Sequence, residues 1–140
     1  MNQDAPLLLD TCAAIWLAEA EKLRDEASRK LDAAYDAGVA VFVSPISAWE
    51  IGLLVSRRRL SLSIKPQLWF QRLFDVLNFR LAEMPPDLLI AASYLPGTPP
   101  KDPADRILAA TAREYGCTLV TRDRPLLNYA GQGHIRALAC

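Results

Sequence analysis

Leu7-Leu8-Leu9-Asp10-Thr11 runs three apolar residues straight into an acid, with no turn residue between them. The pattern reads as a buried strand that ends on a carboxylate. In open parallel α/β sheets the ligand-binding crevice lies outside the carboxyl ends of the strands, so an acid placed there points toward chemistry. An Asp closing a strand is also a common N-cap for the helix that follows. Which reading holds depends on whether other acids arrive at equivalent places.

Working outward, Thr11 to Leu17 reads as a short helix whose first residues lie beside that crevice. Glu19 to Ala37 carries apolar residues at helical spacing and ends before Gly38, as an amphipathic surface helix with a glycine C-cap would. Val39 to Val43 is uncharged and rich in β-branched residues, as expected for a parallel strand buried on both faces. Ser44-Pro45 then opens a helix, a serine N-cap followed by proline at the first helical position, and Glu50 falls in its early turns. Pro66 to Phe79 is a helix with an apolar excess that includes Trp69, Phe70 and Phe74, so part of it is expected to face another chain. Leu81 to Met84 reads as a short strand. Pro85-Pro86 opens a further helix, and the stretch from Pro96 to Pro100 breaks it. Asp102-Pro103-Ala104-Asp105-Arg106 starts the next helix, which closes near Gly116. Cys117 to Val120 is strand-like and runs into Thr121-Arg122-Asp123, so a second strand ends on an acid. The remainder, around Gly131 and Gly133, is expected as a short turn and an edge strand. The alternation implies an α/β fold around a central parallel sheet.

A chain of 140 residues with 51% apolar content supports one core, hence a single domain over residues 1–140. Sixteen basic and sixteen acidic residues give zero net charge, which removes any whole-molecule attraction for nucleic acid. A polyanionic substrate then needs a local basic patch or metal ions, and low net charge also favours association with a partner. Cys12, Cys117 and Cys140 are odd in number and form no C-x-x-C, which argues against a disulfide framework and a zinc ribbon and fits a reducing cytoplasm. Met1 to Asp4 holds an acid where a signal peptide carries positive charge, and no apolar run reaches membrane-spanning length. The sole histidine, His134, sits in a glycine-bounded turn, which gives poor support to a Ser-His-Asp or zinc mechanism. Asp10-Thr11-Cys12 lacks the second Asp of an aspartyl-phosphate nucleophile motif, and no nucleotide-binding glycine motif is present.

Four acids therefore stand out. Asp10 and Asp123 follow strands, and Glu50 and Asp105 lie early in helices, all on the side of a parallel sheet where strands end. Carboxylates converging there repel, and the natural relief is a hard divalent cation on oxygen ligands, Mg²⁺ or Mn²⁺. Such an ion holds a scissile phosphate and activates water, the logic of metal-assisted phosphodiester hydrolysis. Each acid also has a plain structural reading. Ser47-Ala48-Trp49-Glu50 matches a capping box, although Ser44-Pro45 is the better helix start and would leave Glu50 free. Asp102 is an N-cap with Asp105 three residues on, and Asp123 is a turn residue. Four acids in equivalent topological places make the joint coincidence the weaker account.

In order, Leu7 to Thr11, Ser44-Pro45-Ile46-Ser47-Ala48-Trp49-Glu50-Ile51, Asp102 to Ala112 and Leu119-Val120-Thr121-Arg122-Asp123 resemble the successive motifs of PIN-domain proteins, above all VapC-type toxins of bacterial toxin–antitoxin pairs. The resemblance implies a three-layer α/β/α fold, Mg²⁺-dependent endoribonuclease activity, homodimers, and inhibition by a small partner antitoxin. It places Asp10, Glu50, Asp105 and Asp123 on the family's four acidic positions. Thr11 would stand beside the site, Asp102 would be a helix cap or outer-shell acid, Thr121 a hydroxyl near the metal, and Arg106 a basic, substrate-facing position. Relatives often carry His two residues before the first Asp of the D-P-x-D-R motif, where this chain has Pro100; that departure touches substrate approach and removes no ligand. Arg57 to Arg59, Lys65, Arg106, Arg122 and Arg124 could make a local basic rim for RNA phosphates; a solvated face explains Arg57 to Arg59 equally well. The competing reading is a PIN-like RNA-binding or protein-interaction module without catalysis.

Overall fold

The computed structural model describes residues 5–140; the acidic Met1–Asp4 stretch lies outside them. Five strands form one all-parallel sheet, β1 (Leu7–Leu9), β2 (Val41–Val43), β3 (Arg80–Leu81), β4 (Thr118–Thr121) and β5 (Arg136–Ala139), in the order β3-β2-β1-β4-β5. The chain builds outward from β1 to one edge and then returns to β4 on its other side. The reversal between β1 and β4 is a topological switch point, where such sheets open a crevice at their carboxyl ends.

Side-chain alternation along β1 assigns its residues to two cores. Leu7 and Leu9, with Val43, Val120 and Leu138, pack beneath α1 (Thr11–Ala18), α2 (Asp25–Ala37), α3 (Pro45–Ser56) and α4 (Pro66–Asp75). Leu8 and Leu119 face the opposite layer of α6 (Pro103–Tyr115) and α7 (Arg124–Gly131), and α5 (Pro86–Ser93) packs on α6. The result is the three-layer α/β/α arrangement expected from the alternation of strands and helices.

Helix starts follow local chemistry closely. Proline stands in the first turn of α3, α4, α5, α6 and α7, where its missing N–H costs nothing. Gly38 and Gly116 take left-handed conformations to close α2 and α6. Helix lengths depart from the periodicity. The expected Glu19–Ala37 helix begins only at Asp25, because Ala20 turns through a left-handed conformation and ends α1. The expected Leu81–Met84 strand is the two-residue edge β3 at Arg80–Leu81. The expected terminal turn contains the eight-residue helix α7, which buries Leu126 and Tyr129 completely.

The largest correction concerns α4. Trp69 and Leu73, one turn apart, turn into the core, with Trp69 only 7% exposed and its indole N–H donating to Glu19 Oε1 at 3.1 Å. Phe70 and Phe74 stack edge to face at 5.3 Å and lie against the same core. Trp69, Phe70 and Phe74 thus serve the protein's own core, with α4 packed on α3, while Leu68, Val76 and Leu77 of the same stretch remain exposed. Trp69→Ala is expected to destabilise the isolated chain by about 3–5 kcal/mol, as removal of a core aromatic does. Chemical denaturation measures this, and a change within about 0.5 kcal/mol, typical of a surface position, would return Trp69 to the outside.

Candidate functional site

Asp10 leaves β1 in extended conformation and caps α1, its Oδ1 accepting from the Ala13 N–H at 2.7 Å. Its second oxygen accepts from the Thr121 hydroxyl at 2.5 Å, across the switch point at the end of β4. The Thr121 oxygen in turn accepts from the Asp123 N–H at 3.0 Å. One hydroxyl therefore ties the two strand-ending acids together. Asp123 caps α7 through Oδ2, which accepts from Leu126 N–H at 3.2 Å. Cap and site are compatible roles, because each carboxylate has more lone pairs than one cap uses.

Glu50 is supported differently. Ser44 caps α3 by accepting from the Ile46 N–H, so the capping-box reading of Ser47 and Glu50 fails. Ser47, fully buried, instead bonds the Thr11 hydroxyl at 2.9 Å, and Thr11 donates to Glu50 Oε1. Ser47 is the supporting residue that sequence reasoning missed. The signal available was its position one turn before Glu50 on the same helix face, obscured by its match to a cap. Asp102 caps α6 by accepting from the Asp105 N–H at 3.0 Å, as expected.

Asp105 has no such support. Burial first, then the negative charges of Asp123, Asp102, Glu50 and Asp10, push its pKa up to about 8. Burial also raises the pKa of Glu50, against the opposing bond from Thr11, with Asp102, Asp10 and Asp123 adding to the rise. In Asp10 the cost of burial exceeds the help of both its hydrogen bonds, so its pKa is raised as well. Cys12 reports the same field: desolvation and then Asp10, Glu50 and Asp123 push its thiol up to about 11. The sheet thus gathers five acids at one end, close enough to feel one another.

A PIN domain family model matches residues 7–132, nearly the whole chain. The chain belongs to the PIN-domain family. Ribonuclease VapC22 of Mycobacterium tuberculosis is 36% identical over 124 residues, spanning 88% of this chain and 91% of that protein. VapBC2 from Rickettsia felis, solved bound to a DNA fragment from its promoter, shares the fold with a TM-score of 0.62 and 16% identity, over 95% of this chain and 97% of that one. FitAcB from Neisseria gonorrhoeae gives 0.52 and 21%, over 94% and 96%.

Within this PIN fold the donor set is all oxygen. His134 packs against Tyr129 at 5.3 Å, with its ring beside Gly97, and Cys12 is held as a neutral thiol, so neither supplies a soft ligand. Buried carboxylate oxygens that raise one another's pKa suit a hard cation such as Mg²⁺ or Mn²⁺, which favours their charged form. Among the described residues, no three of these side chains stand close enough to close around one ion as they are placed. Asp10 is anchored by two bonds, whereas Asp105 is held by none that lower its pKa and is the side chain left to adjust.

Arg106 is held by main-chain carbonyls. Its Nε donates to Ala92 O at 2.9 Å, and its terminal nitrogens donate to Pro100 O and Ser93 O at 3.1 and 3.3 Å. The guanidinium clamps the end of α5 and the following loop onto α6 with three of its five N–H donors.

The raised pKa of Asp105 has a measurable sign. A carboxyl whose folded pKa lies above its unfolded value of 3.8 binds its proton more tightly in the folded state, so its charge leaves stability untouched below pH 4. It lowers stability progressively as pH rises to about 8. Asp105→Asn removes this penalty and gives up the weaker dipole benefit of an acid at N3, about 0.3–1 kcal/mol. In chelator the variant is expected to match wild type near pH 4 and to exceed it by about 1–2 kcal/mol at pH 8, after allowance for solvent screening. Thermal unfolding across that range tests it; a difference that does not grow with pH would contradict the clustered charge.

Proposed function

We propose that this chain is a metal-dependent endoribonuclease, the toxin of a toxin–antitoxin pair, formed as a single PIN-like domain over residues 1–140. The observation that carries the reading is the gathering of Asp10, Glu50, Asp105 and Asp123 outside the carboxyl ends of β1, β2 and β4. The similarity to a protein named a ribonuclease supports the reaction, and the shared fold of VapBC2 and FitAcB supports an antitoxin partner. Asp10, Glu50, Asp105 and Asp123 would hold Mg²⁺ or Mn²⁺, supplying positive charge for a scissile phosphate and a stronger water nucleophile. The protein's own groups orient these acids: Thr121 holds Asp10, and Thr11, itself bonded to Ser47, holds Glu50. Asp102, outside this set, keeps its cap on α6 and adds negative charge.

No helix among the described residues is long and apolar enough to cross a membrane, in keeping with a cytoplasmic enzyme. For homodimerisation or an antitoxin, exposed apolar residues are available on α5 at Leu89 and Ile90, at its C-cap Tyr94, and on and after α4 at Leu68, Val76 and Leu77.

Asp123→Asn keeps an oxygen for the Leu126 cap and removes only charge, so the fold should persist. Cleavage of single-stranded RNA in Mg²⁺ is expected to fall by more than the roughly 10–100-fold typical of losing an outer partner of a metal ligand. Excess chelator should abolish wild-type cleavage, and Mn²⁺ should restore it. RNA binding without cleavage in any of these metals would favour the non-catalytic module instead.

A further inference from the structure

A groove of about 420 Å³ leaves the acidic site along α3, beginning at Thr11, Glu50 and Asp102 and ending at Arg57 and Arg59. Trp49 lies in its wall and is 58% exposed, although it is one of the largest apolar side chains in the protein. Trp49, Leu53 and Arg57 recur at four-residue spacing, so they line one face of the helix and its exit over about 12 Å. The arginine triplet divides at the helix end. Arg58 takes a left-handed conformation, φ 57°, and Arg59 N–H closes back onto Leu54 O at 2.8 Å. Arg57 and Arg59 thus line the groove, while Arg58 does not.

We propose that this groove binds single-stranded RNA, with a base stacked on Trp49 and the adjoining phosphate held by Arg57 and Arg59. The proposal rests on the nuclease reading above and names how its substrate leaves the site. Charge complementarity selects the occupant. One end gathers the acids that suit a metal-held phosphate, the other presents two exposed cations, and between them lie an aromatic face and the aliphatic Leu53 and Leu54. An alternation of flat apolar base and anionic phosphate matches that order, and exposed aromatics beside arginines are how proteins hold single strands with little regard to sequence. The volume lies in the range that accepts a small organic group. Zero net charge gives the molecule no other general attraction for RNA, so this local pair of arginines would carry a large share of it.

The test uses the full chain and a fluorescein-labelled, randomised single-stranded RNA 20-mer, with binding followed by anisotropy in chelator and cleavage followed separately in Mg²⁺. Trp49→Ala should weaken binding by about 5- to 150-fold, the range for loss of one stacked base, while Trp49→Phe keeps it within about threefold. Arg57→Ala with Arg59→Ala should flatten the salt dependence of binding by about 1.4 in log–log slope, two single-strand phosphates. Unchanged binding by Trp49→Ala, in a protein that cleaves RNA, overturns the groove and leaves the nuclease reading intact. Equal losses in Trp49→Ala and Trp49→Phe overturn stacking. A Trp49→Ala variant that binds RNA normally but sediments as a smaller species makes this face an interface between copies and overturns the proposal. A wild type that neither binds nor cleaves the RNA removes both readings.

Discussion

The bond between Thr121 and Asp10 joins the ends of two neighbouring strands at the point where the sheet reverses its order. A carboxylate at that place loses most of its water, and the rise in its pKa shows that the desolvation cost exceeds what its hydrogen bonds return. The surrounding structure depends on containing that cost. Thr121 also receives the Asp123 N–H, and the Ala13 N–H caps onto Asp10, so strand ends and helix starts share one polar network. Displacing Asp10 would loosen β1, β4, α1 and α7 together.

Around this anchor, capping and site formation turn out to be one device. Three of the acids accept from the backbone at the start of a helix, which is worth about 1 kcal/mol each. Helix N-termini also carry partial positive charge, which tempers the repulsion of acids held side by side. The fold therefore uses helix starts to bring carboxylates to one place at a tolerable cost. Glu50 and Asp105, which cap nothing, show the remaining repulsion as raised pKa values.

The arginines follow a parallel division. Arg106 and Arg122 have their donors fixed on carbonyls, and Arg122 also lies over the Trp16 ring at 3.6 Å. Such residues hold elements in place. Arg57 and Arg59, at a helix exit, remain exposed. The distinction is invisible in composition, because it depends on which carbonyls the fold brings within reach.

What the residues determined alone was local or periodic: parallel strands from uncharged β-branched runs, helix starts from proline and capping residues, helix ends from Gly38 and Gly116, and the four acids from their places after strands or early in helices. These rest on interactions within a few residues, so neighbours in sequence suffice to read them. Tertiary structure decided the rest. It turned Trp69 inward, because the core beside α3 supplies the surface its ring covers. It made α7 a helix, because Leu126 and Tyr129 find a core to fill. It bonded Ser47 to Thr11 in place of a cap, because two helices 36 residues apart in sequence meet there. Each outcome is set by partners distant along the chain, and no local pattern carries the identity of such a partner.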